Sequence, residues 1–215
     1  MTERLKEIFS NLPSCDTFAD IGCDHGYIAK AMLESGKCKR AIVSDISAKC
    51  LSKAEALLSE YIKKGSAQSV VSDGFDKITF CDLALIAGMG GEEIVSILSS
   101  AKSLPKTLVL QPMKNVDKVR IKAVELGYAI KKDYLFNCGR IFYDLIILES
   151  GKDCLTQEEI EFGRTNLQTK SQVFEKYLQR KIGVLAKCQK NKGLSQEVCQ
   201  KMQNEIERLE KYVKP

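Results

Sequence analysis

The chain has 215 residues, 44% of them hydrophobic, enough for one ordinary domain with a substantial core and an appendage. Its 33 basic and 28 acidic residues leave a net charge of +5, too mild an excess to identify a partner by itself. Nine irregularly spaced cysteines, no C-x-x-C and a single histidine, His25, argue against a bound metal, and no apolar run is long enough to span a membrane.

Most cysteines sit in apolar runs, where a thiol packs as a small hydrophobe, so reduced thiols in a cytoplasmic protein are expected. The stretch from Met1 to Leu12 is charged and does not read as a signal peptide. Within it, Leu5, Ile8, Phe9 and Leu12 fall near helical spacing, and Pro13 stops the pattern. This short helix reads as a lid over one sheet edge; the alternative is that Arg4 and Lys6 touch an anionic substrate.

The first strand is expected over Thr17 to Cys23 and the first helix behind it over Tyr27 to Ser35. Between them runs Asp20-Ile21-Gly22-Cys23-Asp24-His25-Gly26. Strand, glycine-rich turn and helix form the nucleotide-cradling unit of doubly wound α/β folds, because the glycines turn sharply and the helix start offers free N–H donors. The spacing is D-x-G-x-x-x-G rather than G-x-G-x-x-G, which suits a ligand without a pyrophosphate, such as S-adenosylmethionine. Asp20, Gly22, Cys23, Asp24 and Gly26 are therefore candidate ligands; a tight turn holding nothing is the competitor.

The second strand, Arg40 to Asp45, ends in an acid that can accept hydrogen bonds from two ribose hydroxyls, with Ile46 beside it. Ser47 caps one helix carrying Leu51, Ala54, Leu57, Leu58, Tyr61 and Ile62. The third strand, Ala67 to Ser72, runs into Asp73-Gly74-Phe75, which either holds an adenine by hydrogen bond and stacking or is a plain turn. The fourth, Asp82 to Ala87, is almost wholly apolar and leads into Gly88-Met89-Gly90-Gly91. Three glycines there mark either a close approach to the backbone or a joint. A fifth strand, Thr107 to Leu110, precedes Gln111 and a helix over Asn115 to Leu126. Tyr128 to Phe136 and Ile141 to Glu149 then read as a hairpin around Asn137-Cys138-Gly139-Arg140.

Five βα units followed by a hairpin require one antiparallel strand in an otherwise parallel sheet. That is the layout of class I methyltransferases: a seven-stranded Rossmann-like α/β sheet with a terminal antiparallel hairpin. After Thr156 the pattern turns helical. One long helix is expected from Thr156 to Gln189, a break at Asn191-Lys192-Gly193, and a second helix after Ser195 with Val198, Met202, Ile206, Leu209 and Val213 on one stripe. Residues 1–153 thus form the catalytic domain, and 154–215 a coiled-coil-like helical hairpin. That tail holds +4 of the net charge, and Lys170, Lys176, Arg180, Lys181, Lys187, Lys190 and Lys192 could follow an RNA backbone. Dimerisation, or shielding of the sheet, are the other roles open to it, and a monomer is the first expectation.

IGCDHGY, AGMGGEEI and LVLQP in this order, with a hairpin and helical tail behind them, resemble the bacterial tRNA adenine-22 N1-methyltransferase family (TrmK). The resemblance covers nearly the whole chain and departs at Met113, where Asn follows Gln-Pro in many relatives. It implies S-adenosylmethionine as donor, with S-adenosylhomocysteine as product, tRNA as substrate and 1-methyladenosine in the tRNA. On the adenine side it points to Asp24, His25, Tyr27, Met89, Gly90, Gln111 and Asn115. On the donor side it points to Asp20, Gly22, Cys23, Asp24, Gly26, Asp45, Ile46, Asp73, Gly74, Phe75 and Gly88. The alternatives are an NAD-dependent dehydrogenase, which Asp45 fits and the glycine spacing does not, and a non-catalytic RNA-binding protein on the same fold.

Overall fold

Four strands of the sheet carry buried apolar runs, and these runs set the architecture. A computed structural model describes residues 1–190 and 194–213. In chain order the elements are α1 (Glu3–Asn11), β1 (Cys15–Ile21), α2 (Tyr27–Glu34), β2 (Cys38–Asp45), α3 (Ala48–Leu57), α4 (Ser59–Lys63), β3 (Ala67–Val71), β4 (Leu83–Met89), α5 (Gly91–Ser100), β5 (Thr107–Pro112), α6 (Val116–Glu125), β6 (Tyr128–Cys138), β7 (Ile141–Ser150), α7 (Gln157–Phe162), α8 (Arg164–Thr169), α9 (Gln172–Gln189) and α10 (Gln196–Glu210).

The seven strands lie in the order β3-β2-β1-β4-β5-β7-β6. The first five run parallel and β7 runs antiparallel to both of its neighbours, as the sequence predicts. The order reverses between β1 and β4, the point at which an open parallel sheet leaves a crevice for ligands beyond its strand ends. Ile8, Met32 and Leu51 of α1, α2 and α3 pack on one face, and Ile94, Leu98 and Val119 of α5 and α6 on the other. Among the described residues no helix is long and apolar enough to cross a membrane.

Two expected helices are subdivided. The helix after Ser47 breaks at Leu58, whose φ of −101° and ψ of 9° separate α3 from α4. The single helix expected from Thr156 to Gln189 is three. Gly163, at φ 84°, separates α7 from α8, and a β-carbon there would sit 2.8 Å from the Asp133 carboxylate. Lys170, at φ 43°, separates α8 from α9. Periodicity missed both breaks because apolar spacing continues across them. The break expected at 191–193, and Lys192 as a phosphate contact, lie outside the described residues.

The breaks let α7 and α8 wrap the sheet. Thr165 Oγ1 accepts from the backbone N–H of Asp133 and Asn166 Oδ1 from that of Leu135, each at 2.9 Å, and Asp153 Oδ2 accepts from that of Ile130, also at 2.9 Å. Beneath them Arg120 of α6 is fully buried. It donates to both carboxylate oxygens of Asp133 (2.6 and 2.9 Å), to Asp144 (2.9 Å) and to the carbonyls of Ile160 and Glu161 (3.0 and 3.1 Å). α9 and α10 form an antiparallel pair whose Phe174, Leu178 and Leu209 pack with Leu135 of β6 and Phe162 of α7. Gln189 meets Cys199 at one end, and Arg208 reaches Glu161 at the other.

Removing the guanidinium would leave the buried Asp133 charge without a partner. Arg120→Met should therefore cost about 3–5 kcal/mol of stability in urea unfolding. A loss below about 1 kcal/mol would show that the cluster is replaceable by packing.

Candidate functional site

The crevice at the β1/β4 reversal is walled first by the β1–α2 loop. Its Gly22 and Gly26 both adopt positive φ, 70° and 71°, which an L side chain resists. The N–H groups of Gly22 and Cys23 donate to the Ser44 carbonyl at 2.8 and 3.0 Å, tying the loop to β2. Gly26 opens α2, and a β-carbon on it would stand 3.0 Å from Ala54 Cβ of α3. Asp24 is itself left-handed at φ 48°, a conformation short polar side chains tolerate.

Asp45 ends β2 with its carboxylate turned to this loop. Its Oδ1 accepts from Ser47 N–H at 2.9 Å and its Oδ2 faces Asp24 N–H at 3.4 Å. Ile46 beside it is 70% exposed. Asp20, Gly22, Cys23, His25 and Tyr27 line a cavity of about 280 Å³, with Arg4 on its far side. The Asp20 carboxyl is 6% exposed and pairs with no cation among the described residues. Burial pushes its pKa up to about 7, against the pull of the Ala29 N–H.

At the rim, Asp24 is committed to two partners, His25 Nδ1 at 2.6 Å and Lys53 Nζ at 3.6 Å. The His25 ring stacks on Tyr27, centroids 5.5 Å apart and planes within 8°. The three side chains stand together at the rim, and Asp24 faces His25 and Lys53, not an unshared ligand position.

The opposite wall begins at the end of β4, which runs on through the glycine-rich run to Met89. Gly88, at φ 82°, sits at a bulge between Ala87 and Met89. The Arg4 guanidinium lies where its side chain would be, 3.1 Å from an added β-carbon. The Met89 thioether methyl covers Gly22, so the two halves of the crevice touch through one flexible side chain. Gly91 needs to be glycine for another reason: a β-carbon would collide with the carbonyls of Lys114 and Asn115. Its N–H donates to Lys114 O at 2.9 Å, and Met113 N–H to Met89 O at 2.8 Å, locking this loop to the one after β5. Gly90 has an ordinary φ of −66°, and its β-carbon would meet only the Lys114 side chain at 3.2 Å, so no backbone strain explains it.

Two further expectations are corrected. Gln111 is fully buried and does not face a substrate. Its Oε1 accepts from Arg4 Nη1 at 2.6 Å, and its Nε2 donates to Pro112 O at 3.0 Å and Met113 Sδ at 3.5 Å. Phe75 is 5% exposed and belongs to the core cluster with Ile94 and Ile97, so its ring is not free to stack on an adenine; Asp73 beside it is exposed. Gly74, at φ 51°, is required by Ile97, which would lie 2.8 Å from a β-carbon. Asn115 opens α6 at φ 54° and makes no capping bond.

Arg4 is the residue whose role the sequence left obscure. From α1 it spans the site, bonding Gln111, flanking Gly88 and standing 5.8 Å from the centre of the Tyr143 ring on β7. Its partner is 107 residues away, beyond the reach of any local pattern.

Among known proteins, a family model for tRNA (adenine(22)-N(1))-methyltransferase matches residues 18–212. A Mycoplasma pneumoniae protein, provisionally named a tRNA methyltransferase, is 31% identical over 153 residues, covering 68% of this chain and 70% of its own. A Streptococcus pneumoniae structure, provisionally titled a tRNA (m1A22) methyltransferase, shares the fold over the full length of both chains, with a TM-score of 0.91 at 23% identity. The structure of M. capricolum TrmK with S-adenosyl-homocysteine has a TM-score of 0.86 at 26% identity, over 99% of this chain and 97% of that one. The chain belongs to the tRNA (adenine(22)-N(1))-methyltransferase family.

Proposed function

We propose that the two walls of the crevice divide the reaction of this family, methyl transfer to N1 of adenine 22 in tRNA. The β1–α2 loop with Asp20 and Asp45 holds the donor. The wall of Arg4, Met89 and Gly90 receives the adenine, with His25 and Tyr27 at its entrance. The observation that carries this reading is the Asp45 carboxylate, held by Ser47 N–H and turned to a loop whose two glycines both stand at positive φ.

The residues fit the donor. It has a ribose diol for Asp45, and a cationic methionine end for Asp20, a buried acid with no cation partner among the described residues. An apolar surface at Ile46 suits its adenine. S-adenosylmethionine supplies a sulfonium methyl, already a strong electrophile. Adenine N1 carries an in-plane lone pair and no proton, so the attack needs no general base. The N1–carbon bond forms as the carbon–sulfur bond breaks, and the positive charge passes from sulfur to the adenine ring. Acids lining the crevice suit both states. The protein's contribution is alignment of N1, methyl carbon and sulfur. N1 lies on the Watson–Crick edge, so the base must be splayed out, at a cost of roughly a few kcal/mol. Arg4, by holding the Gln111 amide and filling the space beside Gly88, fixes the wall against which that base would stand.

A dehydrogenase reading is disfavoured by the family match and by the antiparallel β7. The reading is tested by methylation of a tRNA transcript. Wild-type protein should produce 1-methyladenosine at position 22, and a transcript with guanine there should accept no methyl group.

Asp45→Ala should weaken donor binding by about 1.5–3 kcal/mol without unfolding the chain, the scale of hydrogen bonds to a charged group. Unchanged affinity in calorimetry would remove Asp45 from the site. For Asp20 the sign follows from its raised pKa: below about 7 the free protein keeps the carboxyl protonated, and a cationic ligand must displace that proton. Donor affinity should therefore climb from pH 6 to 7, by at most ~tenfold per unit, and level off above. Asp20→Asn should bind weakly with no such slope, and a slope that persists would assign it to another group. For the loop, Gly91→Ala should lose about 1–3 kcal/mol of stability as Lys114 and Asn115 are displaced. Gly90→Val should fold and bind donor yet fail to methylate tRNA; a normal rate would mean the base does not enter there.

A further inference from the structure

Beyond the crevice lies a second concave surface, a groove of about 610 Å³ between the tip of the β6–β7 hairpin and α9. Its floor is apolar and unusually exposed: Ile141 is 55% and Val184 54% accessible. Phe142 and Tyr177 meet edge to face in it, centroids 5.6 Å apart. Arg140 and Arg180 form its rim; Arg180 Nη1 donates to the Arg140 carbonyl at 2.8 Å, and its guanidinium stands 6.0 Å from the Phe142 ring centre. Glu205, the acid in the lining, is already tied to Arg208.

The charges are sorted. Arg140, Lys176, Arg180 and Lys187 make no ion pair among the described residues, whereas Arg164, Lys181 and Arg208 do. On the other helix of the pair, α10, Glu197, Glu205, Glu207 and Glu210 outnumber Lys201 and Arg208. The arm's unneutralised cations therefore face outward on α9, beside an apolar floor. Cations that track a phosphate backbone next to aromatic and aliphatic surface that can seat a base make up a single-stranded nucleic-acid platform.

The groove also lies at the correct end of the sheet. β7 runs antiparallel to β5, with Ile146 opposite Leu110. Phe142, four residues earlier on β7, thus projects about 13 Å beyond Leu110 in the direction of Gln111 and the crevice, at roughly 3.4 Å per residue. Tyr143, the next residue on that strand, projects from the opposite face of the sheet, where it lies under Arg4.

We infer that this groove seats an unpaired nucleotide of the same tRNA, its base on the Ile141, Phe142 and Val184 floor and its phosphate at Arg140 and Arg180. The inference rests on tRNA being the substrate. It means that the molecule is held by two points, the splayed adenine in the crevice and a second nucleotide beyond the hairpin tip.

The test uses the full-length chain. Arg140→Ala/Arg180→Ala should weaken tRNA binding about tenfold at moderate salt, and lower the slope of log affinity against log salt by about 1.4 for two lost contacts. Donor affinity and kcat at saturating tRNA should stay at wild-type values, with the loss appearing in KM. Val184→Glu, which places a carboxylate on the floor, should weaken tRNA binding similarly. A photoreactive phenylalanine analogue at position 184 should crosslink to tRNA. Wild-type affinity and salt slope in these variants would overturn the inference, as would a crosslink to a second copy of the chain and not to tRNA. Both results would leave the chemistry at the crevice standing. Wild-type protein that forms no 1-methyladenosine would bring down the proposed function itself, and the groove with it.

Discussion

The guanidinium of Arg120 is the point at which the catalytic sheet and the helical tail become one structure. A guanidinium has five N–H donors, and in the core of this protein all five bonds are made, to groups from β6, β7 and α7. Burying such a group is favourable only when every donor is met and the charge is balanced. The sequence could therefore not vary one of these elements alone: Gly163 must be glycine to make room for Asp133, and α7 must end where its carbonyls point at Arg120. The hairpin, the end of the sheet and the start of the tail are held in one geometry, and that geometry sets where α9 stands relative to the crevice.

The glycines around the crevice divide by physical cause. Gly22 and Gly26 turn the β1–α2 loop at positive φ, with Met89 over the first and Ala54 against the second. Gly74 and Gly91 are required by Ile97 and by the carbonyls of the loop after β5. Gly88 makes room for Arg4. A glycine cluster after a central strand thus serves two loops packed together, and the part left for the proposed adenine narrows to Met89 and Gly90.

Much of this was legible in the chain. The β-branched and leucine-rich runs marked the parallel strands, because strands buried on both faces read as continuous apolar segments. The motif with two glycines four apart located the loop at the sheet's reversal, and two successive strands at the end forced an antiparallel member. What stayed hidden had a common character. The Arg4–Gln111 bond joins residues 107 apart in the chain. The helix breaks at Gly163 and Lys170 depend on what lies beneath them, not on periodicity. Phe75 has the composition of a stacking residue, but its ring is claimed by the core, and only the burial of Ile94 and Ile97 around it decides that. Local pattern reports the shape of an element; the use of each side chain is settled by its neighbours in space.

The three hydrogen bonds that Asp153, Thr165 and Asn166 accept from the outer backbone of β6 have a bearing on solubility. An edge strand with free N–H groups is a template for another chain, and β6, at eleven residues, is the longest strand in the sheet. Its outward N–H groups at Ile130, Asp133 and Leu135 are capped by side chains that come only after the sheet is complete. At the other border, β3 is five residues long and offers little to pair with. A chain whose synthesis stops at the end of β7 would display an open, partly apolar edge, so α7 and α8 act as a built-in guard against self-association from the moment the tail folds back.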